Sequence, residues 1–241
     1  LSTPTFRLAN DTGKSEPDNI SRDGLVTVSG LDEGATWEYS TNNGGKWLPG
    51  SGTSFTLGEG LYPKGSVLVR ATDLAGNQKT SAANPTDINI DHTAPAASLT
   101  GYTDDAASQQ GTFTFSTPTN DRTPTINGTG ENGTLIELYL RRNNQNLNIG
   151  STIVANGVWS ITVPNDLADG TYNVFVVATD DAGNSSSTNA STVIIDTVTQ
   201  GTLDGYIDNT VSKTNVIDFA TPATATELSY VGTAEPGSTV D

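Results

Sequence analysis

Cysteine and methionine are absent from the 241-residue chain, and it holds a single histidine, His92. Without cysteine there are no disulfide staples and no thiolate metal sites. That absence does not fix a compartment, because many bacterial surface proteins avoid cysteine altogether. One histidine excludes a histidine-based zinc centre and a conventional Ser-His-Asp triad within the chain. Basic residues are scarce: 11 Lys and Arg against 27 Asp and Glu leave a net charge of −16. Neutralising phosphates needs clustered Lys and Arg, so nucleic acid is not expected as a partner. The adjacent pair Arg141-Arg142 falls on a predicted hairpin and reads as a solvated turn. No run of about 18 apolar residues is present, so no membrane insertion is expected. The start, Leu1-Ser-Thr-Pro, has neither the charged region nor the apolar stretch of a signal peptide, and the initiator Met is missing. The chain therefore reads as a piece of a longer polypeptide. No 3.6-residue periodicity is sustained, which predicts essentially no helix.

What fills the chain instead is turn chemistry and alternation. Gly, Asn, Asp, Ser, Thr and Pro recur every several residues. Between them lie short period-two runs such as Trp159-Ser-Ile161-Thr-Val163 and Tyr172-Asn-Val174-Phe-Val176-Val-Ala178. Short alternating segments bounded by turns predict antiparallel β-sandwiches, an all-β fold. The chain also repeats itself. Ala71-Thr-Asp-Leu-Ala-Gly-Asn77 returns as Ala178-Thr-Asp-Asp-Ala-Gly-Asn184, an offset of 107 residues. Leu99-Thr-Gly-Tyr-Thr-Asp-Asp105 returns as Leu203-Asp-Gly-Tyr-Ile-Asp-Asn209, and Gly128-Thr-Gly-Glu-Asn-Gly133 as Gly232-Thr-Ala-Glu-Pro-Gly237, both offset by 104. A period of about 100 residues is the size of one immunoglobulin-type sandwich. The expected modules are residues 1–92, 93–197 and a partial third at 198–241. The joints, Ile90-Asp-His-Thr-Ala-Pro95 and Ile195-Asp-Thr-Val198, contain no Gly/Ser tether, so neighbours are expected nearly in contact.

The second module lays out most fully. Ile126, then Ile136, Leu138 and Leu140, then Val193 and Ile195 are expected to face its core, with Asn156-Gly157 a hairpin turn. Asp169-Gly-Thr-Tyr172 predicts a tyrosine corner. In the first module Trp37 and Tyr39 take the places of Ile136 and Leu138, and Trp47 that of Trp159. All three tryptophans read as core, Trp47 being the first exception to consider as a sugar-stacking surface. Gly65 falls where Tyr172 should stand, so that corner is expected to close in another way.

The series Asp91-His-Thr-Ala-Pro95, Gly101-Tyr-Thr-Asp-Asp105, Thr123-Pro-Thr-Ile-Asn-Gly-Thr-Gly-Glu131, Gly157-Val-Trp159, Ala168-Asp-Gly-Thr-Tyr172 and Ala178 to Asn184 closely resembles the bacterial immunoglobulin-like repeats of giant non-fimbrial adhesins. The resemblance covers the second module fully, the third as far as it goes, and the first more loosely. It implies type I secretion, an extracellular position at the bacterial surface, calcium at module boundaries, and a role in cell adhesion and virulence. The partners it implies are neighbouring repeats of a monomeric chain, with a host-cell glycan or surface receptor as a further candidate. A carbohydrate- or receptor-binding module of a secreted protein is the competing reading.

Calcium takes six to eight oxygen ligands from flexible loops. In an immunoglobulin-type sandwich the loop between the second and third strands and the loop between the last two strands share one end, where the incoming joint also arrives. This is expected to gather Glu131, Asp180 and Asp181 with Asp91, Asp104 and Asp105. The corresponding set at the next joint is Asp196, Asp204, Asp208 and Glu235, while Glu33 and Asp73 would face a preceding neighbour. The same Asp-x-Ala-Gly-Asn sequence is also sound turn chemistry without any metal. Solvated acids on inter-module turns do not make the paired carboxylates of a glycosidase cleft, so no enzymatic activity is expected.

Overall fold

The computed structural model describes residues 1–15, 17–106, 110–198, 201–208 and 228–234. Strand is the only regular structure among them, as the missing helical periodicity requires. The first module contains β1 (Thr5–Leu8), β2 (Ile20–Ser21), β3 (Leu25–Ser29), β4 (Thr36–Ser40), β5 (Leu48–Pro49), β6 (Ser54–Thr56), β7 (Gly60–Tyr62), β8 (Leu68–Thr72), β9 (Gln78–Thr80) and β10 (Ile88–Ile90). The second contains β11 (Ala97–Asp104), β12 (Gly111–Phe113), β13 (Pro118–Thr119), β14 (Thr125–Gly130), β15 (Leu135–Arg142), β16 (Gln145–Ile153), β17 (Val158–Thr162), β18 (Gly170–Thr179), β19 (Ser185–Ser187) and β20 (Ser191–Ile195). Two more strands, β21 (Gly201–Asp208) and β22 (Leu228–Ala234), pair with each other.

In the second module a four-stranded sheet, β12-β11-β14-β17, faces a larger one ordered β13-β20-β18-β15-β16, with β19 on the edge of β18. Alternation decides which side chains lie between them. Ile136, Leu138 and Leu140 of β15 meet Val174, Val176 and Ala178 of β18 and Ile126 of β14, all with at most 2 % exposure. Burying each large aliphatic contributes about 1.5–3 kcal/mol. Trp159 lies over Gly128, where an added methyl would come within 2.2 Å of the indole, and its Nε1 donates to the Thr129 carbonyl at 3.1 Å. The turn at Asn156-Gly157 has positive φ at both residues (54° and 78°), the primed geometry that matches strand twist.

The first module follows the same plan with one break. Its second sheet is split into β2-β10-β7 and β5-β4-β8-β9, because Pro63-Lys64-Gly65 interrupts what is one continuous strand, β18, in the second module. The corner was expected to lack its tyrosine. The pairing shows otherwise: Gly60 opposes Ile90 and Tyr62 opposes Ile88, as Gly170 opposes Ile195 and Tyr172 opposes Val193. Tyr62 donates to the Gly58 carbonyl at 3.0 Å, and Tyr172 to the Ala168 carbonyl at 2.8 Å, four residues back in both cases. The three-residue interruption moves the alignment from an offset of 110 before it to 107 after it, which hid the match. Trp47 also departs from expectation. It stands in the turn before β5, outside the core cluster, with the Arg70 guanidinium 4.2 Å from its ring centroid. Trp37 is buried in the core against Gly50, its indole donating to the Gly52 carbonyl.

β21 and β22 repeat the register of β11 and β14. Leu203 opposes Gly232 and Gly205 opposes Val231 across a bulge, as Leu99 opposes Gly128 and Gly101 opposes Asn127. The hydroxyl pair Thr202–Thr233 reproduces Ser98–Thr129.

Candidate functional site

Residues 180–184 form a loop clasped at its base. The Asp180 carboxylate accepts the Asn184 backbone N–H at 2.8 Å and its side-chain amide at 3.0 Å, and the two residues also pair through the backbone at 3.1 Å. Gly183 turns the chain at φ +86°, a conformation glycine adopts without steric cost. Residues 73–77 build the same loop: Asp73 accepts from Asn77 at 2.8 and 2.9 Å, and Gly76 sits at φ +87°. Those hydrogen bonds hold the Asp73 carboxyl below its ordinary range, the Asn77 side chain contributing most.

The 180–184 loop is gripped from two sides by the first module. On one side runs the joint. Asn184 donates to the Asp91 carbonyl at 2.8 Å, and within the second module the entering chain is fastened by Ser186, which donates to the Pro95 carbonyl, and by the Ala96 N–H, which donates to Glu131 Oε1 at 2.7 Å. On the other side lies a strap, the segment between β1 and β2. Thr12 Oγ1 donates to the Ala182 carbonyl at 2.8 Å, the Lys14 N–H to the Asp181 carbonyl at 3.3 Å, and Arg22 Nη1, from beyond β2, to the Gly183 carbonyl at 3.0 Å. Lys14 Nζ stands 3.9 Å from Asp181 Oδ1. Gly13 permits this approach, since a Cβ there would lie 2.1 Å from the Asp181 carbonyl oxygen. The result is that Ala182 and Asn184 are buried on what would be a solvent-exposed tip. Sequence reading did not single out the strap; its only local signal is Thr-Gly followed by a base in an acid-rich chain.

Two cavities flank the gripped loop. One, of about 310 Å³, is lined by Thr12, Lys14, Arg22, Leu135 and Asp180. The other, of about 230 Å³, is lined by Asn89, Asp91, Glu131, Asn132, Asp180 and Asp181. Four acids expected at this joint therefore share one polar cavity. Their all-oxygen donor set is of the kind a hard cation takes, although among the described residues no three carboxylates converge as a ready-made cluster. Several of their oxygens already bind backbone: Asp91 Oδ1 accepts Thr93 N–H, and Glu131 Oε1 accepts Ala96 N–H.

Asp104 and Asp105 do not join this group. β11 leaves the joint at Ala97 and rises about 3.3 Å per residue, so its eight residues carry Asp104 to the opposite pole, about 25 Å away. There Asp104 is bonded by Thr119, and Asp121 accepts the Asp105 N–H, both carboxylates being nearly buried. The Tyr102 phenol is pushed up by burial first, then by Asp104 and Asp121. Asp196 belongs to this pole, bonded through its N–H to the Thr119 carbonyl as Asp91 is to Ser21. Thr197 Oγ1 donates to Asp169 at 2.8 Å, as Thr93 does to Glu59 at 3.0 Å, so the inserted His92 shifts the joint by one residue without changing its fastening. Asp204 is exposed at the β21 bulge, Asp208 ends that strand, and Glu235 lies outside the described residues. At the upstream end Asp73 holds its own loop. The counterpart of Glu131 there is Asp32, which accepts the Ser2 N–H at 2.9 Å, while Glu33 points into solvent. Glu131-Asn-Gly133 and Asp32-Glu-Gly34 share an acid-x-Gly signal that marks the correspondence.

Residues 96–197 match a family described as Bacterial Ig-like domain. No curated protein matches the chain. Among solved structures, a crystal structure of a tetra-tandem repeat in the extending region of a large adhesion protein is similar at 19% identity and TM-score 0.34, covering 88% of this chain. The chain spans about half (53%) of that repeat's length. Fibronectin(III)-like modules of Clostridium thermocellum CbhA are similar at 14% identity and TM-score 0.40, covering 79% of this chain and 94% of theirs. SGBP-B of a Bacteroides ovatus mixed-linkage glucan utilization locus, solved in complex with a mixed-linkage heptasaccharide, is similar at 16% identity and TM-score 0.24, covering 82% of this chain and 49% of its own.

Proposed function

We propose that this chain is a stiff spacer from a bacterial surface adhesin, in which sandwich modules are locked in series and hold a binding tip away from the cell. The observation that carries this reading is the two-sided grip on residues 180–184. A joint alone leaves a module free to swivel; a second set of bonds set apart from it, from Thr12, Lys14 and Arg22, opposes rotation about the first. The repeat resemblance and the family match of residues 96–197 support assigning the chain to an array.

In this reading calcium adds to the lock. Asp91, Glu131, Asp180 and Asp181 would hold the ion, with carbonyls or water completing its shell. What the ion supplies is relief of repulsion among carboxylates in a chain of net charge −16. Extracellular modules hold calcium with Kd of about 10⁻⁴–10⁻³ M, which would set the array stiff outside the cell and pliant within it. Small-angle scattering of the chain in calcium and in EGTA tests both statements. An extended, narrow distribution of shapes in calcium that broadens in EGTA is the expected result. A distribution that is broad in both conditions refutes the spacer, and one that is narrow in both refutes the role of calcium while sparing the spacer. Glu131→Gln and Asp181→Asn are expected to weaken calcium binding measured by calorimetry.

A further inference from the structure

The 73–77 loop carries the construction of the gripped loop without the grip. The base clasp, the turn glycine and the backbone closure agree: Asp73 and Asn77 pair at 3.0 Å, and Gly76 donates to the Asp73 carbonyl at 3.0 Å. The acid that receives the entering strand is present as well, Asp32 matching Glu131. Coverage is what differs. Ala182 is 1 % exposed, and a Cβ on Gly183 would meet Gly13 at 3.1 Å. Ala75 and Gly76 are exposed, a Cβ on Gly76 would meet nothing within 4 Å, and Leu74 is 89 % exposed. Among the described residues no strap lies against this loop. Leu74 also departs informatively from its counterpart, since Asp181 in that position faces Lys14.

We propose that the 73–77 loop is the docking site for the strap of a preceding module of the same kind, one that keeps Thr-Gly and has an apolar residue where this chain has Lys14. The carbonyls of Leu74, Ala75 and Gly76 take the bonds that Asp181, Ala182 and Gly183 take at the existing seam. The exposed Leu74 side chain packs on an apolar residue in place of the ion pair, and the apolar area buried there, which a lysine holding its ammonium in water covers only in part, sets the preference. Each seam thus selects its neighbour by one charge-or-apolar position, which orders unlike modules along an array. This inference rests on the array reading.

The test appends a second copy of residues 1–94 directly before Leu1 of the full chain, with spin-label pairs across the existing seam and across the new one. With Lys14→Leu in the appended copy, the new seam is expected to give a narrow distance distribution. Ala75→Arg, an exposed site whose change leaves the 241-residue chain as stable as before, is expected to broaden the new seam at least twofold and leave the existing one unchanged. An appended copy that retains Lys14 is expected to give the broader distribution of the two. A new seam that stays broad in the Lys14→Leu form, or a narrow one indifferent to Ala75→Arg, overturns the proposal. A broad existing seam in the same molecule refutes the array reading instead.

Discussion

Gly13→Ala isolates the strap from everything else that joins the two modules. The new methyl would be placed 2.1 Å from the Asp181 carbonyl oxygen and 3.1 Å from the neighbouring carbonyl carbons, all backbone. The strap must therefore retreat by about 1 Å to reach ordinary van der Waals contact. Such a shift takes the Lys14 N–H bond, already 3.3 Å, beyond bonding range and stretches the Thr12 bond from 2.8 Å. Two bonds at about 0.5–1.5 kcal/mol each put the loss of coupling at about 1–3 kcal/mol. Gly13 lies at φ +123°, so alanine also adds backbone strain of about 1–3 kcal/mol within the first module. Gly76→Ala separates the two effects. It has a left-handed φ of +87° and open space around its Cβ, so it suffers strain without any clash. Electron-electron distance measurements between the modules, with chemical denaturation of each variant, provide the assay. The expected outcome is a broadened inter-module distribution in Gly13→Ala and an unaltered one in Gly76→Ala, with both destabilising the first module. An unaltered distribution in Gly13→Ala would mean that the joint alone sets the geometry and the strap is incidental.

Other outcomes follow from the same structure. Tyr62→Phe and Tyr172→Phe each remove a hydroxyl bonded four residues back and are expected to cost about 1 kcal/mol in urea denaturation, Tyr172 somewhat more because Arg142 also donates to its oxygen at 2.9 Å. Gly128→Ala drives a methyl to 2.2 Å from both the Ser98 carbonyl oxygen and the Trp159 indole; a loss of about 3 kcal/mol or more, with a change in tryptophan fluorescence, is expected. Asp73 has a folded pKa below its unfolded value, so its clasp contributes stability that is complete above the unfolded pKa and disappears as pH falls through the folded one. Asp73→Asn is accordingly expected to flatten the acid limb of the first module's pH–stability profile, followed by circular dichroism, and an unchanged slope would refute that role.

The sandwich was legible because alternation and turn residues are local signals. Ile136-Leu138-Leu140 and Val174-Val176-Ala178 name their own buried faces, and Asn156-Gly157 its own turn. Tyr62 was not, since a three-residue interruption breaks the repeat between the corner and the loop; acid-Gly-x-Tyr at Glu59–Tyr62 against Asp169–Tyr172 carried the match within a few residues. Half of the joint could be read. The sequence places Asp91, Glu131, Asp180 and Asp181 at one end because turns and topology alone decide that. Asp104 required a strand length: eight residues of β11 carry it to the other pole, where motif proximity along the chain suggested the same one. The strap had no periodic signature at all, since its role depends on a neighbouring module that local propensity does not describe.

The chemistry of the seam explains why the strap works in so acidic a chain. Its hydrogen bonds end on main-chain carbonyls, those of Asp91, Asp181, Ala182 and Gly183, and not on carboxylates. Carbonyls are dipoles fixed by the loop's backbone, so these contacts are weakly sensitive to pH and salt, whereas the exposed Lys14–Asp181 pair at 3.9 Å is screened and adds little. The Asp180 clasp, whatever cation it also serves, holds three carbonyls outward in a fixed fan. Asp180→Asn keeps size and removes charge, but its amide meets the Asn184 donors with one donor of its own, leaving only one acceptor for two N–H groups. The expected consequence is a seam that loosens at physiological pH even in the absence of divalent ions. If EGTA-treated chains with and without Asp180→Asn gave identical inter-module distances, the carbonyl fan would not be what holds the modules together.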